Sequence, residues 1–415
     1  MISSNNIFFI NINKEKILKI TKLYGTPLWI YNSHIIESKI KKLKNFDTIR
    51  YAQKACSNIH ILRLMREKKV KIDAVSEGEI KRALFSGFDP KNNEIIYTAD
   101  IFNEATLSIV TKFNIPVNIG SIDMLAQLGK ISPKHPVWLR INPKFGHGHN
   151  KKTNTGGENS KHGIWNPNLA IEIIKKYNLK LVGLHMHIGS GVDYQHLKKV
   201  CNSMVEYAIN LNKKINSISA GGGLSIPYQI SEKPIDVEHY FSLWNEARNK
   251  ISNYLKRDIH LEIEPGRFLV GESGILITQV RSVKKMGNNN FVLVDAGFND
   301  LMRPVLYGSY HEISVISGNK HTINYQEKIE TIVAGPLCES GDVFTQYENG
   351  NIEKRLLPIV TPGDYLIFHN TGAYGASMSS NYNSRPLIPE ILFKNDTFHL
   401  IRRRQTIEDL IKLEI

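Results

Sequence analysis

Leu181-Val182-Gly183-Leu184-His185-Met186-His187 is a short apolar run that ends on two histidines. An amphipathic stretch follows at 197–212, then a second apolar run at 215–220, closed by Gly221-Gly222-Gly223. Another amphipathic stretch at 237–255 leads to a third run at 260–264, closed by Pro265-Gly266-Arg267. Apolar runs separated by helical stretches imply parallel strands, because a parallel pair needs a long crossover. Toward the N-terminus the alternation continues. Candidate strands lie at 48–54, 72–75, 95–98, 117–119 and 137–141, with helical patterns at 58–68 and 77–85. Eight such units predict a closed α/β barrel, TIM-like (β/α)8, rather than an open sheet.

After about residue 270 the texture changes. Segments 271–283, 290–296, 329–335 and 364–368 look like strands, with Gly, Pro and Asn between them, and helical periodicity returns only at 406–413. This predicts a mostly antiparallel C-terminal β-domain. The expected division is a barrel over 26–270 and a β-domain over 271–415. Residues 1–25, with the run Ile7-Phe8-Phe9-Ile10, read as strand or edge material that joins the β-domain. The loop at 146–163 is long and rich in Gly, Asn, Thr and His. Loops of that length in a compact domain are usually functional or mobile.

The 415 residues leave room for two domains, and the content of 41% hydrophobic and 22% charged residues is that of a globular chain. No apolar run approaches the roughly 20 residues of a membrane span, and the first residues lack a basic leader and a cleavage site. Three cysteines make neither a disulfide framework nor a zinc spacing, so the cytoplasm is the default compartment. The net charge of +14 comes from scattered lysines, not striped with aromatics, which reads as solvated helix faces instead of a nucleic-acid surface. An anionic ligand suits the same charge.

A barrel of this kind carries its active site at the C-terminal ends of the strands. Lys54, Asp73, His185 with His187, the glycine run and Glu264-Pro265-Gly266-Arg267 all fall on that rim. Three glycines leave backbone N–H groups open to an anion, and phosphate sites in barrels often follow strands 7 and 8. A flexible turn is the plainer alternative. Lys54 is either a solvated lysine or, given its apolar neighbours, a desolvated amine able to attack an aldehyde. A phosphate cradle beside an amine points to pyridoxal 5'-phosphate. Glu264 is placed to hold the ring nitrogen protonated, unless it pairs with Arg267. His187 is placed to stack on the ring, unless it is a satisfied core histidine. His185 and His187 also share one strand face, as metal ligands do. A metal-dependent barrel hydrolase would need further ligands. Asp73 and Asp123 are weak candidates and no other strand end supplies a histidine, so no metal is expected.

Gly335-Pro336-Leu337-Cys338-Glu339-Ser340-Gly341-Asp342 sets a thiol and two carboxylates in a tight loop. A thiol, with an ordinary pKa of about 8.5, is a reasonable proton donor near neutrality. The alternative for Cys338 is a small buried hydrophobe, which is the reading for Cys56 and Cys201.

Together these residues resemble the diaminopimelate decarboxylase family of fold type III pyridoxal-phosphate enzymes. The motifs are Tyr51-Ala52-Gln53-Lys54-Ala55, Thr155-Gly156-Gly157, Ser160-Lys161-His162-Gly163-Ile164, His187-Ile188-Gly189-Ser190, Gly221-Gly222-Gly223-Leu224 and Glu264-Pro265-Gly266-Arg267. Asp295-Ala296-Gly297 leading to Arg303-Pro304-Val305-Leu306-Tyr307, Cys338 to Asp342, Gly372-Ala373-Tyr374 and Arg402-Arg403-Arg404-Gln405-Thr406 complete a match in order over nearly the whole chain. The resemblance implies that Lys54 carries pyridoxal 5'-phosphate as a Schiff base. It implies that His187 stacks on the ring, that Glu264 pairs with its nitrogen, and that Ser190, Gly223 and the backbone of Pro265, Gly266 and Arg267 surround the phosphate. Arg267, Arg303, Tyr307 and Glu339 would bind substrate, Tyr374 would lie near both cofactor and substrate, and Cys338 would donate the proton. Cys338 and Glu339 would come from the partner of a homodimer with shared active sites.

The implied reaction is decarboxylation of meso-2,6-diaminopimelate to L-lysine and CO2, the last step of lysine biosynthesis, with no nucleic-acid or membrane partner. The Arg303 guanidinium suits a second carboxylate, which ornithine lacks. A related ornithine, arginine or carboxynorspermidine decarboxylase is the alternative within the superfamily. An alanine racemase would have no use for Cys338 and Glu339. A non-catalytic cofactor-binding homologue would tolerate loss of the lysine or thiol, and both are present.

Overall fold

Eight parallel strands close on themselves: Thr48–Ala52, Lys71–Ala74, Ile95–Ala99, Val117–Ile119, Pro136–Arg140, Lys180–His185, Ser217–Ser219 and His260–Ile263. In the computed structural model, which describes residues 12–146, 155–187, 189, 191, 193–211, 215–318 and 322–415, the last strand pairs with the first through Thr48 and Ile49 against Glu262 and Ile263. These are barrel strands 1 to 8. Helices such as Glu77–Phe85, Ile122–Ile131, Tyr194–Leu211 and Val237–Leu255 make the crossovers. Each buries one apolar stripe; in Val237–Leu255 it is Tyr240, Trp244, Ala247 and Ile251, spaced by three or four. Asp236 caps that helix by accepting from the His239 N–H. No described helix is long and apolar enough to cross a membrane.

Arg50 and Glu262 lie inside this barrel. Arg50 is fully buried, its Nε donates to Glu262 Oε2 at 2.5 Å, and a second guanidinium nitrogen reaches Oε1 at 3.2 Å. Another donates to Asn93 O, in the turn before strand 3. Removing one member strands a buried charge. Arg50→Ala is therefore expected to lower the unfolding free energy by about 3–5 kcal/mol, read as a shifted urea midpoint. An unchanged midpoint would show that the pair contributes nothing.

The chain divides into two compact units. The barrel unit comprises Ser38–Ser225 and Pro234–Phe268; the other takes the chain up to Glu37, Ile226–Lys233 and Leu269–Ile415. The early segment of the second unit runs to Glu37 where a boundary near residue 25 was expected, and the excursion at 226–233 was not expected. The run Leu28–Asn32 is as apolar as a barrel strand. It lies instead within the second unit's sheet, antiparallel to Gly274–Met286 and parallel to Glu390–Lys394.

That sheet has nine strands, ordered Arg355–Pro358, Lys328–Ala334, Asn289–Val294, Gly274–Met286, Leu28–Asn32, Glu390–Lys394 and Thr397–Arg402, with Tyr365–Phe368 and Ile313–Ile316 branching from Gly274–Met286. Most pairings are antiparallel; Leu28–Asn32 with Glu390–Lys394 and Asn289–Val294 with Lys328–Ala334 are parallel. Leu28, Ile30, Ile275, Ile277, Ile367 and Ile391 form its core with Ile17 and Ile20. The last two belong to a helix, Lys14–Tyr24, where strand was expected. Their spacing of three places both on one helical face, and Asn13 caps the helix by accepting from the Lys16 N–H. Ile7 to Ile10 lie outside the described residues.

Candidate active site

Strand 1 runs straight into a 3-10 turn, Gln53–Ala55. Gln53 and Ala55 are buried in the wall, whereas Lys54 is exposed. The desolvated amine expected from its apolar neighbours is thus corrected: the turn buries the neighbours and leaves Lys54 outside the packed wall. Its charge still acts on Asp73, Glu79 and His187.

Glu264 directly follows strand 8 and is buried. His185 Nε2, at the end of strand 6, lies 2.7 Å from Glu264 Oε2, and Ser219 Oγ, at the end of strand 7, donates to Oε1 at 2.8 Å. Its partners are therefore His185 and Ser219, not Arg267. Burial raises the Glu264 pKa, but the charge of His185 and these two bonds outweigh it and hold the carboxyl below its ordinary range. Such a depressed group contributes stability that is present above the ordinary carboxylate pKa and lost as pH falls through the depressed value. Asp73 moves the other way: burial first, and the nearby Glu264 charge second, push it up to about 6. One rim carboxylate is thus held ionised while the other is pushed up to about 6.

His187 is half-buried. Burial, then the charges of Arg140, Lys54 and His185, hold it well below its ordinary pKa, so the ring is neutral. Gly189 N–H donates to Nδ1 at 3.2 Å, which leaves the proton on Nε2. The glycine run packs against this histidine. A Cβ on Gly221 would lie 2.4 Å from Met186 O, one on Gly222 3.2 Å from His187 Nε2, and one on Gly223 2.4 Å from Gly189 O. Gly223 also has φ 112°, a conformation that favours glycine. Side chains are excluded there, and backbone lines the rim. Pro265 O accepts from Ala52 N at 3.3 Å, which ties strand 8 to strand 1. A Cβ on Gly266 would lie 3.1 Å from Ala52 O, and Arg267 opens the short helix Arg267–Val270. Ser190 lies outside the described residues.

The barrel unit thus gathers Lys54, His187, Gly223, Glu264, Pro265, Gly266 and Arg267 at the strand ends. Arg140 and Ser219 join them and were missed; their positions at the ends of strands 5 and 7 were the available signal. Among the described residues no group of three or more His, Cys, Asp or Glu is placed to hold a metal ion.

Arg303 opens the helix Arg303–Tyr307 of the second unit and is buried. It donates to Tyr228 Oη at 2.9 Å, His311 Nε2 at 3.1 Å and Ser309 Oγ at 3.2 Å, and its guanidinium stacks 4.7 Å from the Tyr228 ring centre. Tyr307 ends that helix and is half-buried. Tyr374, also half-buried, has φ 58°, uncommon for an aromatic residue. A Cβ on the following Gly375 would lie 2.8 Å from the Trp29 ring, which accounts for the bare position beside it.

In the 335–342 loop the two carboxylates separate. Asp342 is buried and accepts from the N–H groups of Leu337 and Phe298, both at 2.8 Å, so it organises the loop. Cys338 and Glu339 are exposed. Cys338 N–H donates to Asn383 Oδ1 at 2.9 Å, and Tyr382 Oη approaches Glu339 at 3.4 Å. All three cysteines are free, Cys56 and Cys201 buried and Cys338 exposed.

The family model described as pyridoxal-dependent decarboxylase, pyridoxal binding domain, matches residues 33–271. That is the class to which a barrel with this rim corresponds. A diaminopimelate decarboxylase of Buchnera aphidicola subsp. Schizaphis graminum is 67% identical over 97% of each chain. A crystal structure of diaminopimelate decarboxylase superposes with a TM-score of 0.94 at 60% identity, covering 96% of each chain. The Helicobacter pylori diaminopimelate decarboxylase, solved in complex with L-lysine, has a TM-score of 0.81 at 33% identity and covers 95% of this chain and 98% of its own. The chain belongs to the diaminopimelate decarboxylase family.

Proposed function

We propose that the protein converts meso-2,6-diaminopimelate to L-lysine and CO2 with pyridoxal 5'-phosphate as cofactor. The observation that carries this reading is the strand-end constellation of an exposed lysine, an ionised buried carboxylate, a neutral histidine and bare glycine backbone. The residues fit the cofactor group by group. Gly221, Gly222, Gly223 and Gly266 offer backbone to a phosphate. Glu264 is the anion a protonated ring nitrogen needs, and His187 presents a flat, uncharged ring. Lys54 has the amine that meets an aldehyde. When bound, the cofactor supplies a conjugated sink for the electrons left by departing CO2.

The protein's own groups do the rest. Glu264 holds the proton on the ring nitrogen, fixed by His185 and Ser219 on either side. Arg303 binds the distal carboxylate as a bidentate pair, with Tyr307 and Arg267 as further substrate contacts. Glu339 receives the distal ammonium, and Tyr374 lines the site. Cys338 delivers a proton from its Sγ to the carbon that lost CO2. Exposure of Cys338 and Glu339 on a loop braced by Asp342 supports their service to a partner subunit, in a homodimer with shared sites. Three free thiols support a reducing, cytoplasmic setting.

Incubation of the purified protein with meso-diaminopimelate, ornithine and arginine separately tests the assignment. Lysine and CO2 from the first alone are expected; CO2 from ornithine alone would overturn it.

Glu264→Gln keeps the shape of the side chain and removes its charge. The variant should retain cofactor and lose kcat by roughly 10²–10⁴-fold, the usual span for one positioned acid or base. A kcat within twofold of the parent would refute the role given to the carboxylate.

A further inference from the structure

Thr155-Gly156-Gly157 and the segment 160–164 have no role in the reaction as assigned. Within the barrel unit they are strapped down. Asn142, buried just past strand 5, donates from Nδ2 to Gly157 O and His162 O, both at 3.0 Å. Its Oδ1 accepts from Gly157 N and Lys144 N, both at 2.9 Å, so all four bonds of the amide are made. Asp100, just past strand 3, lies 2.6 Å from His162 Nδ1 and accepts from Gly163 N at 3.2 Å. A Cβ on Gly156 would lie 2.2 Å from Phe145 O, and one on Gly163 3.0 Å from Asn142 N. The strap runs too close to the barrel for side chains at these two positions.

The strap delivers one hydroxyl to the rim. Thr155 Oγ1 donates to His187 O at 2.7 Å and stands 3.4 Å from His187 Nδ1. The short bond uses its single proton and fixes the carbonyl that follows the imidazole. Two residues on, Gly189 N–H points back at Nδ1. His187 is therefore held at its carbonyl and at its ring by two separate bonds.

We propose that Thr155 is a positioning residue for His187: its hydroxyl holds the His187 carbonyl while Gly189 N–H bonds Nδ1, which keeps the imidazole proton on Nε2 and holds the ring face ready for the aromatic ring of the cofactor. The last clause rests on the cofactor reading above. The bonds of Asn142 and Asp100 hold the segment that follows that hydroxyl.

Thr155→Val removes the hydroxyl and keeps the shape, and Thr155→Ser keeps the hydroxyl. Two measurements are made on the full chain: nitrogen NMR of histidine-labelled, ligand-free protein, and equilibrium binding of pyridoxal 5'-phosphate. The parent and Thr155→Ser should show His187 protonated on Nε2 alone. Thr155→Val should show both tautomers and bind the cofactor roughly five- to tenfold more weakly, the scale of one lost hydrogen bond. Parent-like tautomer and affinity in Thr155→Val would overturn the proposal, as would a Thr155→Ser protein as impaired as Thr155→Val. A parent with no affinity for pyridoxal 5'-phosphate would overturn the cofactor reading instead, and the tautomer measurement would still decide the role of Thr155.

Discussion

Lys54→Ala protein should lack the visible absorbance band of the bound cofactor and lose kcat by on the order of 10⁴-fold or more, the scale of losing a covalent group from a concerted site. The location makes the argument. Lys54 sits where strand 1 passes into a 3-10 turn, between two buried residues, with its own side chain outside the wall. A surface lysine of ordinary function would not stand among Asp73, Glu79 and His187, whose titration it influences. Borohydride reduction of the parent protein, followed by peptide mapping, gives a second readout. Label on the peptide containing Lys54 is expected. Label elsewhere, or an intact band in the alanine variant, would remove the basis of the proposed chemistry.

The barrel was legible because its signal is local. Apolar runs and 3.6-residue periodicity sit side by side, and the patterns at 77–85 and 237–255 match the helices Glu77–Phe85 and Val237–Leu255. The rim was legible for the same reason, since a strand end is a position in sequence. The second unit hid more. Leu28–Asn32 has the composition of a barrel strand, and only its distant partners Gly274–Met286 and Glu390–Lys394 show which sheet it joins. Arg355–Pro358, Ile313–Ile316, Glu390–Lys394 and Thr397–Arg402 were not foreseen, being short pieces separated by turns. Ordering of side chains was hidden too. Glu339 and Asp342 are alike in sequence, yet one is exposed and the other buried under two N–H groups. Tyr228 carries no motif, and its meeting with Arg303 depends on the path of the chain at Ile226–Lys233. The basic run at 402–404 proved structural: Arg402 pairs with Glu390, Arg403 with Asp409, and Arg404 donates to Pro27 O.

Arg303→Ala should lower kcat/KM for meso-diaminopimelate by about 10⁴–10⁵-fold, the range for a site built to bond one polar group that then goes unmatched. Arg303 is held by Tyr228 Oη, Ser309 Oγ and His311 Nε2. His311 Nδ1 lies 2.8 Å from His369 O, and a carbonyl only accepts, so the proton of the neutral imidazole is on Nδ1. Nε2 therefore offers Arg303 a lone pair. These three contacts orient the guanidinium, and its planar fork suits both oxygens of a carboxylate. Arg303→Lys should recover little, because an ammonium cannot make the planar pair. The cofactor band should survive both substitutions, which separates loss of substrate binding from loss of the cofactor site. Urea unfolding of the alanine variant guards against a third cause, since stranded acceptors cost about 1–3 kcal/mol of stability. A folded, cofactor-loaded Arg303→Ala protein with undiminished turnover of meso-diaminopimelate would dismiss Arg303 as the residue that selects a second carboxylate.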